Sequence, residues 1–176
     1  MTEVLAERRQ AKKKVMACFI DVRKAYDRVW RDGLWKALWQ KGVRGKMWRV
    51  IKNYYRKVQS AVRLDEGNTE WFDVDVGVRQ GCVISPVLFD VFVDRLAREV
   101  RVLNLGVSAA GKRLSLLLYA DDIVLLADSQ EELQRMLGAV QAFCRRWRMQ
   151  MNMSKTKVMA FGASGVKNLH LSLIHI

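Results

Sequence analysis

Three carboxylates carry the most suggestive chemistry in this sequence. Asp121 and Asp122 stand side by side in LLLYADDIVLLA (Leu116–Ala127), between two apolar runs short enough for strands. The β-branched Ile123 and Val124 favour a strand, and Asp tolerates turn geometry. The pair is therefore expected at the tip of a β-hairpin. Adjacent carboxylates between apolar strands are costly unless a cation or donor meets them. On this stretch alone two readings stand: a divalent-metal site, or a solvated acidic tip. Asp21 lies in a second apolar run, VMACFIDV (Val15–Val22), which also reads as a buried strand. Hard oxygen ligands in this number suit Mg²⁺, or Mn²⁺ in its place. Two such ions, about 3.5–4 Å apart, can activate an attacking hydroxyl and hold a leaving phosphate.

The carboxylates need a frame to meet. Glu3 to Lys14 reads as a charged helix or tail, so residues 1–14 are set apart from the rest. Asp32 and Gly33 open a short helix that Gly42 can end. A second helix is expected from Lys46 to Val58, with Met47, Val50, Ile51, Tyr54 and Val58 as its inward stripe. Ala61–Leu64 and Trp71–Val76 read as a hairpin, with Phe72, Val74 and Val76 alternating with acids. After the loop GVRQGC, Ser85 and Pro86 start a helix whose buried stripe is Leu88, Val91, Phe92, Leu96 and Val100. Ser129 and Glu132 form a capping-box signature ahead of a long amphipathic helix marked by Leu133, Met136, Leu137, Val140, Cys144 and Trp147, and Thr156–Phe161 is the last strand. Strand, helices, hairpin of two strands, helix, strand is the split βαβ order: an α+β fold, an antiparallel sheet backed by helices. The 61–76 hairpin is an insertion in it. In that frame the first strand and the central hairpin are neighbours, so Asp21, Asp121 and Asp122 can meet at one sheet edge.

Composition narrows the partners. Across 176 residues the net charge is +13, and 51% of residues are hydrophobic, ample for a core. A polyanion is the expected partner, nucleic acid first. Between Lys41 and Arg63 there are eight basic residues and no acid; Lys46, Arg49, Lys52 and Arg56 are the candidate phosphate contacts. Trp48, Tyr54 and Tyr55 alternate with them and could stack on bases, although core packing accounts for most such residues. No apolar run approaches membrane-spanning length, so no membrane role is expected. Cys18, Cys82 and Cys144 are isolated and odd in number, which fits reduced core thiols in an intracellular chain, nuclear or cytoplasmic by host.

FIDVRKAYD (Phe19–Asp27), GVRQGCVISPVLF (Gly77–Phe89), YADD (Tyr119–Asp122) and MNMSKTKVMAFG (Met151–Gly162) together resemble the successive palm motifs of reverse transcriptases, in order. The wording is most similar to non-LTR retrotransposon polymerases, with group II intron enzymes the near alternative. The resemblance covers Val15 to Gly162. It implies a polymerase palm over 15–162 that adds dNTPs to a DNA primer on an RNA template with two Mg²⁺ ions. It implies Asp21 and Asp121 as principal metal ligands and Asp122 as the third carboxylate. Tyr26 falls where the family places the aromatic that crowds the sugar 2′ position; otherwise it is a core tyrosine at a helix start. Gln80 and Gly81 match the motif beside the incoming nucleotide and template. Arg79 belongs to that motif or merely to a turn. Lys155 falls where the family offers a proton to the leaving pyrophosphate; Lys157 is its rival, and a solvated lysine is the plain alternative. Asp27 is expected to be structural.

The fingers and thumb of such enzymes have no counterpart in these residues. The fragment is therefore expected to act poorly alone, and a catalytically inactive nucleic-acid-binding remnant is the alternative reading. Residues 163–176 read as a tail. LSLIHI (Leu171–Ile176) is what CTG TCT CTT ATA CAC ATC encodes, a transposase-adapter sequence used in library preparation, so an artefactual end is expected. His170 and His175 are accordingly not taken as metal ligands.

Overall fold

The computed structural model describes residues 2–109 and 111–162. In chain order the elements begin with α1 (Thr2–Gln10), β1 (Val15–Ile20), a 3-10 turn at Tyr26–Arg28, α2 (Arg31–Gln40) and α3 (Gly45–Tyr54). Four two-residue strands follow: β2 (Gln59–Ser60), β3 (Arg63–Leu64), β4 (Gly67–Asn68) and β5 (Phe72–Asp73). Then come α4 (Ser85–Val102), β6 (Val107–Ala109), β7 (Lys112–Leu114), β8 (Leu116–Tyr119), β9 (Asp122–Ala127), α5 (Gln130–Arg146) and β10 (Lys157–Phe161). The sequence reading takes residues 15–162 as one domain. The contacts group the chain into two compact units: Met1–Arg23 with Leu96–Ile176, and Lys24–Arg95. Both crossings fall in ordinary sequence, one just past β1 and one inside α4, so no linker marks them.

The first unit holds the expected sheet. Its order is β10-β1-β9-β8, antiparallel throughout, which is the split βαβ arrangement. Side chains alternate across it. Met16, Cys18 and Ile20 of β1 and Ile123, Leu125 and Ala127 of β9 are all buried. Helix α5 packs on β1 and β9 and buries the predicted stripe Leu133, Met136, Leu137, Val140, Cys144 and Trp147. On the other face Val15, Ala17 and Leu126 meet Val107, with Val4, Leu5 and Leu114 against them. Farther along that face Phe19, Leu117 and Val124 are only half-buried. One face is thus sealed; the other is sealed at one end and accessible at the other.

The predicted cap forms at Ser129, whose Oγ accepts from the Glu132 N–H at 3.2 Å, while Glu132 Oε2 reaches one residue farther back than a capping box requires and accepts from the Asp128 N–H at 3.3 Å. The β6–β7 hairpin has no counterpart in the sequence reading, because its three-residue strands lie in a polar, basic run too short to show alternation.

The second unit departs further from expectation. The insertion is present as two small ladders, β2 with β5 and β3 with β4, but of the alternating Phe72, Val74 and Val76 only Val74 is even half-buried. Helix α3 stops at Tyr54, short of Val58, and Lys57 turns left-handed at φ +55°. Of the predicted inward stripe on the helix only Ile51 is buried; Met47, Val50 and Tyr54 are exposed. Val58, beyond the helix, is buried as expected; Tyr55, outside the predicted stripe, is buried too, and Trp48 is half-buried. The chain leaves the helix at Tyr55, and the apolar face turns about one residue away from the Met47–Val50–Tyr54 line.

Candidate active site

Sheet register places the carboxylates. The last paired residues of β1 and β9 are Ile20 and Ile123, so the next step sets Asp21 opposite Asp122. Directly opposed residues in antiparallel strands share a face, with Cα atoms about 4.5–5.5 Å apart. Val22 is buried and bridges to Met151, and the Asn152 N–H donates to the Asp21 carbonyl at 2.8 Å. The chain therefore keeps alternating through Asp21. Asp21 and Asp122 lie on the face of Phe19 and Val124, at its accessible end. Asp122 is exposed and Asp21 half-buried.

Tyr119 pairs with Asp122, leaving Ala120 and Asp121 as a two-residue turn at the hairpin tip. The tip is where the sequence puts the acidic pair. The left-handed position, however, is taken by Ala120 at φ +51° rather than by an aspartate. A residue with a Cβ holds that conformation at a cost of about 1–2 kcal/mol, and such strain gathers at functional tips.

Among the described residues no three Asp, Glu, His or Cys side chains lie close enough together to hold a metal ion. Register sets Asp21 opposite Asp122 and leaves Asp121 in the adjoining turn; all three offer the hard oxygen donors that a divalent cation takes.

Lys155 is exposed in the turn before β10, its N–H donating to the Asn152 carbonyl at 3.2 Å. Lys157 pairs with Phe19 and so stands on the carboxylate face of the sheet.

The remaining candidates lie in the second unit. Tyr26 stacks on Phe89, with ring centroids 4.7 Å apart and planes 11° from parallel. Its carbonyl accepts from the Val78 N–H at 2.8 Å, and the Gly77 N–H donates to the Val29 carbonyl at 2.9 Å. Gly77 sits at φ +81°, and a Cβ there would lie 2.7 Å from the Asp27 carbonyl oxygen, so only glycine allows this approach. Gln80 donates from Nε2 to Asp27 Oδ1 at 2.9 Å. Asp27 is thus structural, as expected, and it is the anchor of Gln80. Gly81 lies at φ +76° with open space around it. Arg79 is exposed, its guanidinium 4.7 Å from the Tyr54 ring centroid.

Arg31 was not anticipated. It is buried at the start of α2, and it donates to four carbonyls: Gly77 at 2.9 Å, Tyr55 at 3.3 Å, Val74 at 2.7 Å and Val76 at 3.1 Å. Burial lowers its pKa from the ordinary value. This fork fixes residues 74–77, from which the Arg79–Gly81 stretch departs. A lone arginine before a helix gives no such signal in sequence.

Lys46, Arg49, Lys52 and Arg56 are all exposed, as expected for phosphate contacts. Lys52 Nζ lies 4.8 Å over the Trp48 ring. Tyr55 is a core residue, its hydroxyl 3.0 Å from Ser85 Oγ. Cys82 is not the core thiol expected of it; it is half-buried at the surface of this unit. No described helix is long and apolar enough to cross a membrane. The predicted tail and His170 and His175 lie outside the described residues.

A four-stranded split βαβ sheet with an acidic hairpin tip beside an acidic strand end defines the class: a polymerase palm. Solved structures share the fold. Telomerase from Candida tropicalis, in complex with a TWJ fragment of telomeric RNA, superposes with a TM-score of 0.70 at 16% identity, over 90% of this chain and 28% of that one. The Candida albicans telomerase complex gives 0.66 at 12% identity, over 88% and 29%. The reverse transcriptase (RNA-dependent DNA polymerase) family matches residues 2–171, and the chain belongs to it. Among curated relatives, a Pol polyprotein from the type-1 retrotransposable element R2 of Nasonia vitripennis is 29% identical over 94% of this chain. A probable RNA-directed DNA polymerase from transposon BS of Drosophila melanogaster is 34% identical over 80%. The chain spans only 16% of the length of each.

Proposed function

We propose that this chain is the palm of a retroelement RNA-directed DNA polymerase, which adds dNTPs to the 3′-hydroxyl of a DNA primer on an RNA template. The observation that carries the reading is the register that sets Asp21 beside Asp122 at the YADD tip, in a chain of the reverse transcriptase family. Asp21, Asp121 and Asp122 would hold two Mg²⁺ ions, or Mn²⁺ in their place. Bound there, the ions supply the charge that activates the primer hydroxyl and steadies the leaving pyrophosphate.

The protein's own part is placement. The register of Asp21 and Asp122 on one accessible face, with Asp121 in the turn that follows the left-handed Ala120, supports these roles. By family resemblance, Tyr26 crowds the sugar 2′ position and Gln80 and Gly81 flank the nucleotide. The Phe89 stack and the Asp27 bond would keep the first two in place. Lys155 or Lys157 protonates pyrophosphate; Lys157 has the face in its favour. Lys46, Arg49, Lys52 and Arg56 hold the phosphate backbone.

The test is primer extension on an RNA template with Mg²⁺, by the 176-residue chain and by the chain joined to its natural flanking sequence. Extension is expected from the longer form and little from the shorter, because misplacement by about 1 Å can cost 10²-fold. Asp121→Ala should lower extension by about 10³-fold, in the range seen when one strong electrostatic group is lost, and leave binding intact. A longer form unaffected by Asp121→Ala refutes the mechanism. Binding without extension in every form establishes the inactive-remnant reading instead.

A further inference from the structure

Within Lys24–Arg95, α3 and the loop after the Gln80–Gly81 stretch enclose an open cavity of about 540 Å³. Its walls are Met47, Val50, Ile51, Tyr54, Val83 and Ile84, with Cys82 among them. The walls are apolar apart from the Tyr54 hydroxyl and the Cys82 thiol. Met47, Val50 and Val83 are 62%, 55% and 95% exposed, so a small molecule can reach the cavity from solvent.

The thiol is not an inert wall atom. Cys82 Sγ lies 3.5 Å from the Tyr54 hydroxyl, and the Arg79 guanidinium lies 4.7 Å from the centroid of that same ring. Cys82 also sits just before α4, where the first N–H groups of a helix favour negative charge. The Tyr54 hydrogen bond, then the backbone N–H of Ile84, holds the Cys82 thiol below its ordinary pKa. Tyr54 is raised, because it is the proton it keeps that serves the sulfur. The other two cysteines differ in kind: burial pushes Cys18 and Cys144 up to about 12.

We propose that this cavity is a covalent ligand site for soft carbon electrophiles bearing a flat apolar group, with Cys82 as the nucleophile. The thiol proton goes to solvent first. A sulfur lone pair then forms the S–C bond at the β-carbon of an activated alkene. The alkene π pair moves toward the carbonyl, giving an enolate, and water protonates the α-carbon. No group leaves, and neither oxidant nor reductant is required. The apolar walls take up the electrophile's flat group, which raises its local concentration beside the sulfur.

The experiment exposes the 176-residue chain to N-phenylmaleimide and to N-ethylmaleimide at neutral pH, with glutathione as the reference thiol. Intact mass should show a single adduct, and peptide mapping should place it on Cys82. Cys18 and Cys144 should react only after denaturation, which also reports that the chain is folded. The phenyl-over-ethyl rate ratio should exceed that of glutathione by about fivefold, the scale expected when part of an aromatic ring leaves water. Val50→Asp, at an exposed wall position, should return the ratio to that of glutathione. Tyr54→Phe should slow both reagents alike and leave the ratio above that of glutathione. Adducts on Cys18 or Cys144 in the folded chain, a ratio equal to that of glutathione, or a ratio unchanged by Val50→Asp would each overturn the proposal.

Discussion

Replacing Arg31 with Met removes the fork and leaves a side chain of similar length in its place. Four carbonyls then lose a donor: those of Tyr55, Val74, Val76 and Gly77. Summing four bonds to a charged group at about 1.5–3 kcal/mol each would overstate the effect, because burying the guanidinium has its own cost. That cost is visible as the lowered Arg31 pKa. The better measure is what stays dry afterwards. Val76 is exposed and Val74 half-buried, so water can reach those carbonyls; Tyr55 and Gly77 are buried. Two stranded buried carbonyls at about 1–3 kcal/mol each, plus the lost contact of the guanidinium over the Tyr55 ring at 5.2 Å, give about 3–4 kcal/mol. Urea unfolding of wild type and Arg31→Met measures that difference. Amide hydrogen exchange at Gly77 and Val78 localises it, since their N–H groups bond to Val29 and Tyr26. Arg31→Lys keeps the charge but not the planar fork, and it should recover less than half of the loss. A loss under about 1 kcal/mol with unchanged exchange at both amides refutes the reasoning. Full recovery by lysine would show that charge near Tyr55, not the fork, is what matters.

Three further outcomes are expected. Gly77→Ala must move a backbone that a Cβ would meet at 2.7 Å, in a left-handed conformation that itself costs about 1–2 kcal/mol; a loss of about 3 kcal/mol or more by thermal unfolding is expected, and a neutral substitution would contradict the packing of Asp27. The folded-state pKa of Cys18 and of Cys144 is raised from 9.0 to about 12, so their contribution is complete below pH 9 and is lost as pH rises toward 12. At pH 10 each should have lost about 1 kcal/mol, and a Cys18→Ala, Cys144→Ala double variant should show a flatter decline between pH 8.5 and 11 in parallel unfolding scans. Primer–template binding should weaken with salt; removing any one of Lys46, Arg49, Lys52 or Arg56 should make the log–log slope shallower by about 1, and salt-insensitive binding would rule out their role.

The legible parts of this molecule are those where a repeating pattern faces a single packed partner. β1, β8 and β9 read correctly because each is a short apolar run of strand length, and α5 because its apolar residues recur at the helical period, with Leu133, Met136, Leu137, Val140, Cys144 and Trp147 all buried. The acidic site shares this legibility: Asp21 and the Asp121–Asp122 pair interrupt apolar runs, so finding the strands finds their ends. Helix α3 misled because its sequence carries two apolar lines. Met47–Val50–Tyr54 continues the helical period best, but burial goes to Ile51 within the helix and to Tyr55 and Val58, where the chain has already left it. Propensity cannot choose between the two lines; the surroundings of Tyr55 choose, through its contacts with Arg31, Trp35 and Ser85. Arg31 and Asp27 are hidden for the same reason. Each does its work through backbone or side chains about 50 residues away, and no local pattern encodes a partner that distant. The line left exposed by this choice, Met47–Val50–Tyr54, is the wall against which Cys82 stands. The residue pattern that failed as a core prediction is therefore what makes the thiol's surroundings apolar, and the aryl preference of Cys82 measures that packing choice directly.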